Sequence, residues 1–173
     1  MDVLNREIVE LLNEQINKEL FSAYLYLGMA DYYADQNLDG FENWFYVQAQ
    51  EERDHAMLFR RYLQNNDEKV TLLAIEAPAN SYDVYEAPLA ASLKHEQFVT
   101  ASINNIYAAA YRDKDFRTME FLNWFIKEQG EEEKNTTDLI RKFELFGSDA
   151  KGLYMLNQEL LGRVYAPPTL VLN

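Results

Sequence analysis

Apolar residues recur at spacings of three and four along most of the chain, the pattern of amphipathic α-helices. The pattern predicts four long helices, from about residue 5 to 34, 41 to 66, 89 to 111 and 116 to 146, and a shorter fifth helix ending near residue 162. Ser148 is the predicted N-cap of the fifth helix. Alternating patterns typical of strands are scarce, so the predicted fold class is all-α.

The connections between these helices predict their arrangement. Short polar turns at residues 37–40 and 112–115 join the first helix to the second and the third to the fourth, which makes two antiparallel pairs. Residues 67–88 carry no helical pattern, and a four-helix bundle accommodates such a segment as one long crossover between helices 2 and 3. We expect one domain over residues 1–165 and an extended tail over 166–173, because Pro167 and Pro168 cannot continue a helix.

Polar residues interrupt the apolar faces of all four long helices at one level. The predicted inward stripe of the second helix is Phe41, Phe45, Gln48, Glu52, His55, Phe59 and Tyr62, and that of the fourth is Leu122, Phe125, Gln129, Glu132, Thr136, Leu139, Phe143 and Phe146. Glu19 and Glu96 lie on the corresponding stripes of the first and third helices. Each helix therefore contributes a carboxylate to the core.

An internal repeat supports the pairing of these groups. A shift of 77 residues places Glu19 on Glu96, Glu52 on Gln129 and His55 on Glu132. At about 1.5 Å per residue from the turns, all of them reach the same depth of the bundle.

Four carboxylates in an apolar interior each cost several kcal/mol unless positive charge compensates them. Lys18 and Arg53 each adjoin an inward Glu and point away from it. Two divalent cations would balance the four carboxylates, with His55 and Gln129 as neutral ligands. Oxygen-rich ligation with one imidazole suits iron or manganese, and zinc is compatible with it. A purely structural bundle with protonated acids and no metal is the alternative.

Three further carboxylates flank the predicted ligands. Glu51, Glu128 and Glu131 each lie one residue from an inward ligand and could form a third, weaker cation site. Ordinary solvated helix faces explain the same spacing equally well.

Composition narrows the function classes. The chain has 173 residues and a formal net charge of −13. It contains no cysteine, and this absence excludes disulfides, thiolate metal sites and thiol catalysis. Such negative charge disfavours nucleic acid and membrane surfaces and favours cations. With no apolar run of spanning length and no signal-like start, the expected location is the cytoplasm.

The motifs around these residues resemble those of non-haem bacterial ferritins. They are NEQINKE at 13–19, SAYLY at 22–26, QEERDHA at 50–56, KHE at 94–96, FLNWF at 121–125 and EQGEEE at 128–133. The resemblance covers about residues 1 to 163 and implies a ferritin-like bundle. Haem is not expected, because Arg53 stands where the haem-binding relatives carry Met and the fourth helix lacks a His.

The resemblance also implies a di-iron centre. Glu19, Glu52 and His55 would hold one iron, and Glu52 would bridge to a second iron. Glu96 and Glu132 would hold that second iron, with Gln129 nearby.

Further roles follow from the same resemblance. Glu51, Glu128 and Glu131 would form the third iron site, and Tyr26 would donate an electron to the centre. The implied function is iron storage with ferroxidase activity, in which dioxygen oxidises Fe(II) and a 24-subunit shell stores ferric oxyhydroxide. A non-storage di-iron oxidase or peroxidase of the ferritin-like group is the alternative. Two features depart from the family pattern, Gly130 inside the fourth helix and the apolar tail.

Overall fold

The structure, a computed structural model, describes residues 4–172, and regular structure within this range is entirely helical. The helices are α1 (Arg6–Asp35), α2 (Asp39–Asn65), α3 (Ala87–Arg112), α4 (Phe116–Phe146) and α5 (Ala150–Leu160). The pair α1 and α2 and the pair α3 and α4 make the most extensive contacts, as the short turns predict. The predicted bundle with one long crossover and a short fifth helix is confirmed. Among the described helices, none is long and apolar enough to cross a membrane.

Two apolar clusters lie at opposite ends of the bundle. One cluster is built around Leu12, Ile16 and Phe59, and the other around Tyr33 and Phe41. The polar level predicted from the sequence lies between the two clusters on every long helix. The clusters hold the helices together on both sides of that level, so the polar side chains need not contribute to cohesion.

The crossover follows α1 along most of its length. Asn13 anchors its start, since the amide donates to the carbonyl of Lys69 at 3.1 Å and accepts from the N–H of Thr71 at 2.7 Å. Near its end, the hydroxyl of Tyr33 donates to the carbonyl of Tyr85 at 2.6 Å. These bonds satisfy backbone groups of a segment that has no ladder of its own.

The end of α4 and the start of α5 differ from the sequence prediction in two details. The N-cap of α5 is Asp149 and not Ser148, because the Asp149 carboxylate accepts the N–H groups of Lys151 and Gly152 at 3.0 Å. Phe146 does not continue the inward stripe and is 50% exposed, since α4 extends past the bundle there.

The start of α2 depends on a residue from α5. No local side chain caps α2. Instead, the side-chain oxygen of Asn157 accepts the N–H groups of Gly40 at 2.8 Å and Phe41 at 3.3 Å. In return, the amide of Asn43 donates to the carbonyl of Leu160 at 3.2 Å, at the end of α5. The two helices therefore satisfy each other's terminal backbone groups.

Gly40 is required for this contact, and we expect Gly40→Ala to destabilise the protein. An added Cβ would lie 1.7 Å from the carbonyl oxygen of Asn157, so α5 would have to move and the cap would be lost. Overpacking of this kind costs about 1–3 kcal/mol. Chemical denaturation followed by circular dichroism measures the loss.

Gly130→Ala is the matched control, with the opposite expected sign. A Cβ at Gly130 meets no atom within 4 Å, and α4 continues regularly through this position. Removing a helix-interior glycine should therefore stabilise the protein by about 0.5–1 kcal/mol. Equal effects of the two substitutions would contradict the role assigned to Gly40.

Candidate metal centre

Six polar side chains from all four long helices meet at the level between the two apolar clusters. Their exposed fractions lie between 0% and 4%, and the set is Glu19, Glu52, His55, Glu96, Gln129 and Glu132. Each lies on the face that the stripe pattern predicts. The structure therefore brings together all six residues proposed from the sequence as inner ligands.

These side chains form two groups of metal-binding geometry that share one member. Ligand atoms of Glu19, Glu52 and His55 lie within 4.8 Å of one another, and the same holds for Glu52, Glu96 and Glu132. Glu52 is therefore placed to bridge two cations. A pair of adjacent metal positions is the arrangement in which two ions act on one small molecule together.

The first group contains polar atoms that the protein leaves without a hydrogen bond. They are Oε2 of Glu19, Oε2 of Glu52 and Nδ1 of His55, all buried. Buried polar atoms almost always have hydrogen-bond partners, so three such atoms in one group of potential ligands favour a cation-binding site here. A carboxylate and imidazole donor set fits iron and related divalent metals.

Side-chain amides orient these carboxylates without neutralising them. Gln15 donates to Oε1 of Glu19 at 2.7 Å. Gln48 donates to Oε1 of Glu52 at 3.0 Å and to Oε2 of Glu132 at 2.7 Å. Each amide lies outside the predicted ligand set and fixes an oxygen of its partner, which is the usual task of residues behind a metal ligand.

Two further donors hold Glu96. The hydroxyl of Tyr26 donates to Oε1, and the amide of Gln129 donates to Oε2 at 3.1 Å. Gln129 thus presents its N–H₂ group to a carboxylate. Its role as a metal ligand, through the carbonyl oxygen, stays a prediction, as does electron donation by Tyr26.

Burial sets the protonation of the acids. It raises the pKa of Glu19 and that of Glu132 to about 8, and the charge on Glu52 adds to both shifts. Burial, with the same charge, also raises the pKa of Glu96 well above its usual range. Without metal, these three acids hold protons at neutral pH.

Glu52 and His55 form the charged pair of the centre. Burial opposes the ionised form of Glu52, but the His55 charge and hydrogen bonds outweigh it and hold the pKa of Glu52 below its usual range. Burial likewise opposes the charge of His55, whereas the Glu52 carboxylate, 3.4 Å away, raises the pKa of His55 to about 10. The pair is zwitterionic until a metal replaces the His55 proton.

Sequence reasoning missed one basic residue beside the centre. Arg163, which follows α5, donates to Oε2 of Glu51 at 2.6 Å and to Oε1 of Gln48 at 2.8 Å. Arg163 therefore pairs with a flanking carboxylate and not with the four inner glutamates. Helical periodicity could not locate it, because it follows the last helix. Lys18 and Arg53 do point away, as expected, toward Ser102 and Asp54.

The three flanking carboxylates are less organised than the inner ones. Glu51 is bound to Arg163, and Glu131 lies 3.6 Å from Lys127. Within residues 4–172, Glu51, Glu128 and Glu131 do not converge as the two inner groups do. Burial raises the pKa of Glu128, and the Glu131 charge adds to this shift, so the two acids are within electrostatic reach. The third cation site stays a prediction.

A bundle of four helices with one long crossover, enclosing two groups of potential metal ligands that share a glutamate, is typical of the class of di-metal carboxylate proteins. Residues 9–146 match the family model of the ferritin-like domain. The chain belongs to the ferritin family.

Similar proteins cover nearly the whole chain. A bacterial non-heme ferritin of Campylobacter jejuni is 38% identical over 160 residues, which are 90% of this chain and 93% of that protein. A bacterial non-heme ferritin of Staphylococcus saprophyticus is 36% identical over 163 residues, 94% of this chain and 98% of the relative. The open pore ferritin of Archaeoglobus fulgidus superimposes with a TM-score of 0.92 at 40% identity, over 95% of this chain and 100% of that structure.

The protonated acids predict that divalent metals bind more tightly as the pH rises. Glu19, Glu96, Glu132 and His55 have raised pKa values and must release protons to act as ligands. The affinity for Zn(II) should therefore increase between about pH 6 and pH 7.5. Calorimetry in buffers of different ionisation enthalpy should detect release of several protons for each pair of ions. An affinity independent of pH would contradict this protonation pattern.

The amide of Gln48 predicts a second effect on metal binding. Gln48→Leu removes the donor shared by Glu52 and Glu132, so Zn(II) affinity should fall about 10- to 100-fold. Gln64→Leu, at an exposed position of α2, is the control and should leave the affinity unchanged. Calorimetric titration of both variants makes the comparison.

Proposed function

We propose that this protein stores iron and oxidises Fe(II) with dioxygen at the centre bridged by Glu52. The observation that carries the proposal is the sharing of Glu52 between two buried ligand groups, one of which contains three buried polar atoms without a hydrogen bond. The names of the relatives, bacterial non-heme ferritins, support the same function.

Two adjacent Fe(II) ions suit the electron balance of this reaction. Each Fe(II) loses one electron, and dioxygen accepts both electrons and two protons to leave as hydrogen peroxide. One ion alone would deliver a single electron and release superoxide. Glu19 and His55 hold the first ion and Glu96 and Glu132 the second, while Glu52 keeps the two ions together.

The surrounding residues complete this proposal. Gln129 approaches the second ion once its amide turns its oxygen toward the metal. Tyr26, bonded to Glu96, supplies the second electron and its phenolic proton when only one Fe(II) is bound, which leaves a neutral tyrosyl radical. Glu51, Glu128 and Glu131 form an outer cation site through which Fe(III) leaves the pair. Hydrolysis of the departing Fe(III) starts the ferric oxyhydroxide mineral.

Two exposed apolar surfaces support a homo-oligomeric shell. One lies on α1 and α2 and includes Tyr24 and Tyr46, which are 48% and 49% exposed. The other lies on α4 and α5 and includes Leu145, Tyr154 and Met155, which are 72%, 63% and 62% exposed. Apolar surfaces on different sides suit contacts with several copies of the chain, as a closed 24-subunit shell requires.

The net charge fits cations as the bound partners of this protein. With a formal charge of −13 per chain, the protein attracts cations and repels nucleic acid and anionic membranes. Its partners are then Fe(II), dioxygen and further copies of itself, and its location is the cytoplasm.

Loss of the shared ligands should abolish the reaction. Glu52→Ala and His55→Ala should each lower the initial rate of oxygen uptake after Fe(II) addition at least about 100-fold, because paired binding of two ions is lost. An oxygen electrode measures uptake, and anaerobic Fe(II) titration measures the stoichiometry. Glu144→Ala, at an exposed position of α4, is the control and should behave as the natural protein.

Particle size distinguishes an iron-storage shell from the alternative, a non-storage di-iron oxidase or peroxidase. A 24-subunit shell of 20.3 kDa chains has a mass near half a megadalton. Light scattering should give this mass and a mineral core that grows with added iron. A dimer that consumes oxygen without accumulating iron would instead identify the non-storage oxidase.

A further inference from the structure

The segment after α5 lies against the bundle as an extended strap, residues 161–172. Half-buried and exposed side chains alternate over residues 163–165 and again over 168–172, with a break at Ala166 and Pro167. Those half-buried are Arg163, Tyr165, Pro168, Leu170 and Leu172. A period of two is expected for extended chain lying on a surface, so the strap docks one of its faces and is not a loose end.

Anchors along the strap fix it across α2 and α4. The hydroxyl of Tyr165 donates to Asp54 on α2, and the indole N–H of Trp124 on α4 donates to the hydroxyl of Thr169 at 2.8 Å. Beyond these anchors, Leu170 packs against the apolar cluster built around Leu12, Ile16 and Phe59. The ring of Trp124 contacts His55 at a centroid separation of 5.5 Å, so the strap passes directly outside the metal centre.

Arg163 is the most completely bonded residue of the strap. Its guanidinium donates to Glu51 at 2.6 Å, to Gln48 at 2.8 Å and to the carbonyl of Trp44 at 3.1 Å. The same group lies 4.2 Å from the centroid of the Trp44 ring. The side chains of Arg163 and Glu51 are only 16% and 20% exposed, so solvent screens their pair weakly.

One amide joins this pair to both halves of the centre. Arg163 donates to Oε1 of Gln48, and this bond forces Nε2 to face the carboxylates of Glu52 and Glu132. A reversed amide would place Oε1 against two carboxylates and Nε2 against a guanidinium. Arg163 therefore fixes the donor that orients the bridging glutamate.

We propose that Arg163 is a tethered cation that holds the outer carboxylate Glu51 until a divalent metal ion displaces it, and that the strap thereby controls occupancy beside the di-metal centre. The inference rests on the proposed function for its two inner ions and adds a role for the tail. Arg163 is a positioning residue in this scheme, since it acts through Glu51 and Gln48.

Competition follows from the charges at Glu51. The Oε2 oxygen of Glu51 already accepts a short bond from a cation, and a second cation at the same oxygen would meet the guanidinium charge at close range. An outer metal ion must therefore displace Arg163, or bind only weakly. Removing the guanidinium frees Glu51 and also removes the bond that fixes the Gln48 amide, so the affinities of the inner ions and of the outer ion have to be measured separately.

Zn(II) titration of the assembled protein tests this competition, because Zn(II) binds without redox chemistry. We expect two inner ions per chain in every protein, bound less tightly in Arg163→Gln because its Gln48 amide is no longer fixed, and a third, weak ion in the natural chain. In Arg163→Gln, the third ion should bind about tenfold more tightly, the ratio equivalent to one charge-assisted hydrogen bond. Arg163→Lys keeps the charge and should lie between the two. Adding Glu51→Gln to Arg163→Gln should remove the gain.

Tryptophan fluorescence provides a readout that requires no change at Arg163. The chain contains two tryptophans, so Trp124→Phe leaves Trp44 as the single reporter beneath the guanidinium. The third equivalent of Zn(II) should shift Trp44 emission to longer wavelength, because displacement of Arg163 exposes the indole ring. This measurement applies even if Arg163→Gln does not assemble.

Two results would overturn the inference. One is a third ion that binds equally well to the natural chain and Arg163→Gln, and the other is Trp44 emission that does not respond to the third equivalent. Absence of the first two tight ions from all variants would instead contradict the proposed function. The two failures are therefore separable in one titration series.

Discussion

The structure depends on the cost of placing four glutamates in the middle of an apolar bundle. One of them, Glu52, is ionised against His55, while burial and this charge keep protons on Glu19, Glu96 and Glu132. The metal-free centre is therefore tolerable only in a protonated form, and divalent ions can replace those protons. The two apolar clusters that flank this level supply the cohesion that the polar level cannot.

The polar groups that hydrogen-bond to the buried acids are mostly neutral, so they orient the carboxylates without competing with a metal ion for them. Gln15 and Gln48 orient carboxylates through amide bonds that persist whether protons or metal ions are bound. A lysine or arginine at these positions would neutralise a ligand and repel the incoming ion. Arg163, a basic residue close to the centre, contacts Glu51 outside the inner groups. Apart from the charge of His55, compensation of the inner carboxylates is therefore left to protons or to metal ions.

The stripe pattern predicted the helices and the inner ligands because both depend on local periodicity. Glu52 and Glu132 are buried where the spacing places them. Contacts made by segments without periodicity could not be predicted in this way. Arg163 reaches Glu51 through an extended strap, and Asn157 caps a helix distant in sequence. The sequence contains an apolar tail after the proline pair, but no pattern that located its docking surface.

The exchange of caps between α2 and α5 has a consequence for biosynthesis. The backbone N–H groups of Gly40 and Phe41 receive their acceptor from Asn157, which is translated more than a hundred residues later. The hairpin of α1 and α2 leaves the ribosome with these donors open to water, and its first turn has no local substitute. The nascent chain therefore reaches its final stability only when its last segment emerges. A chain that ends before Asn157 lacks the acceptor for the N–H groups of Gly40 and Phe41, so the start of α2 is less stable in it.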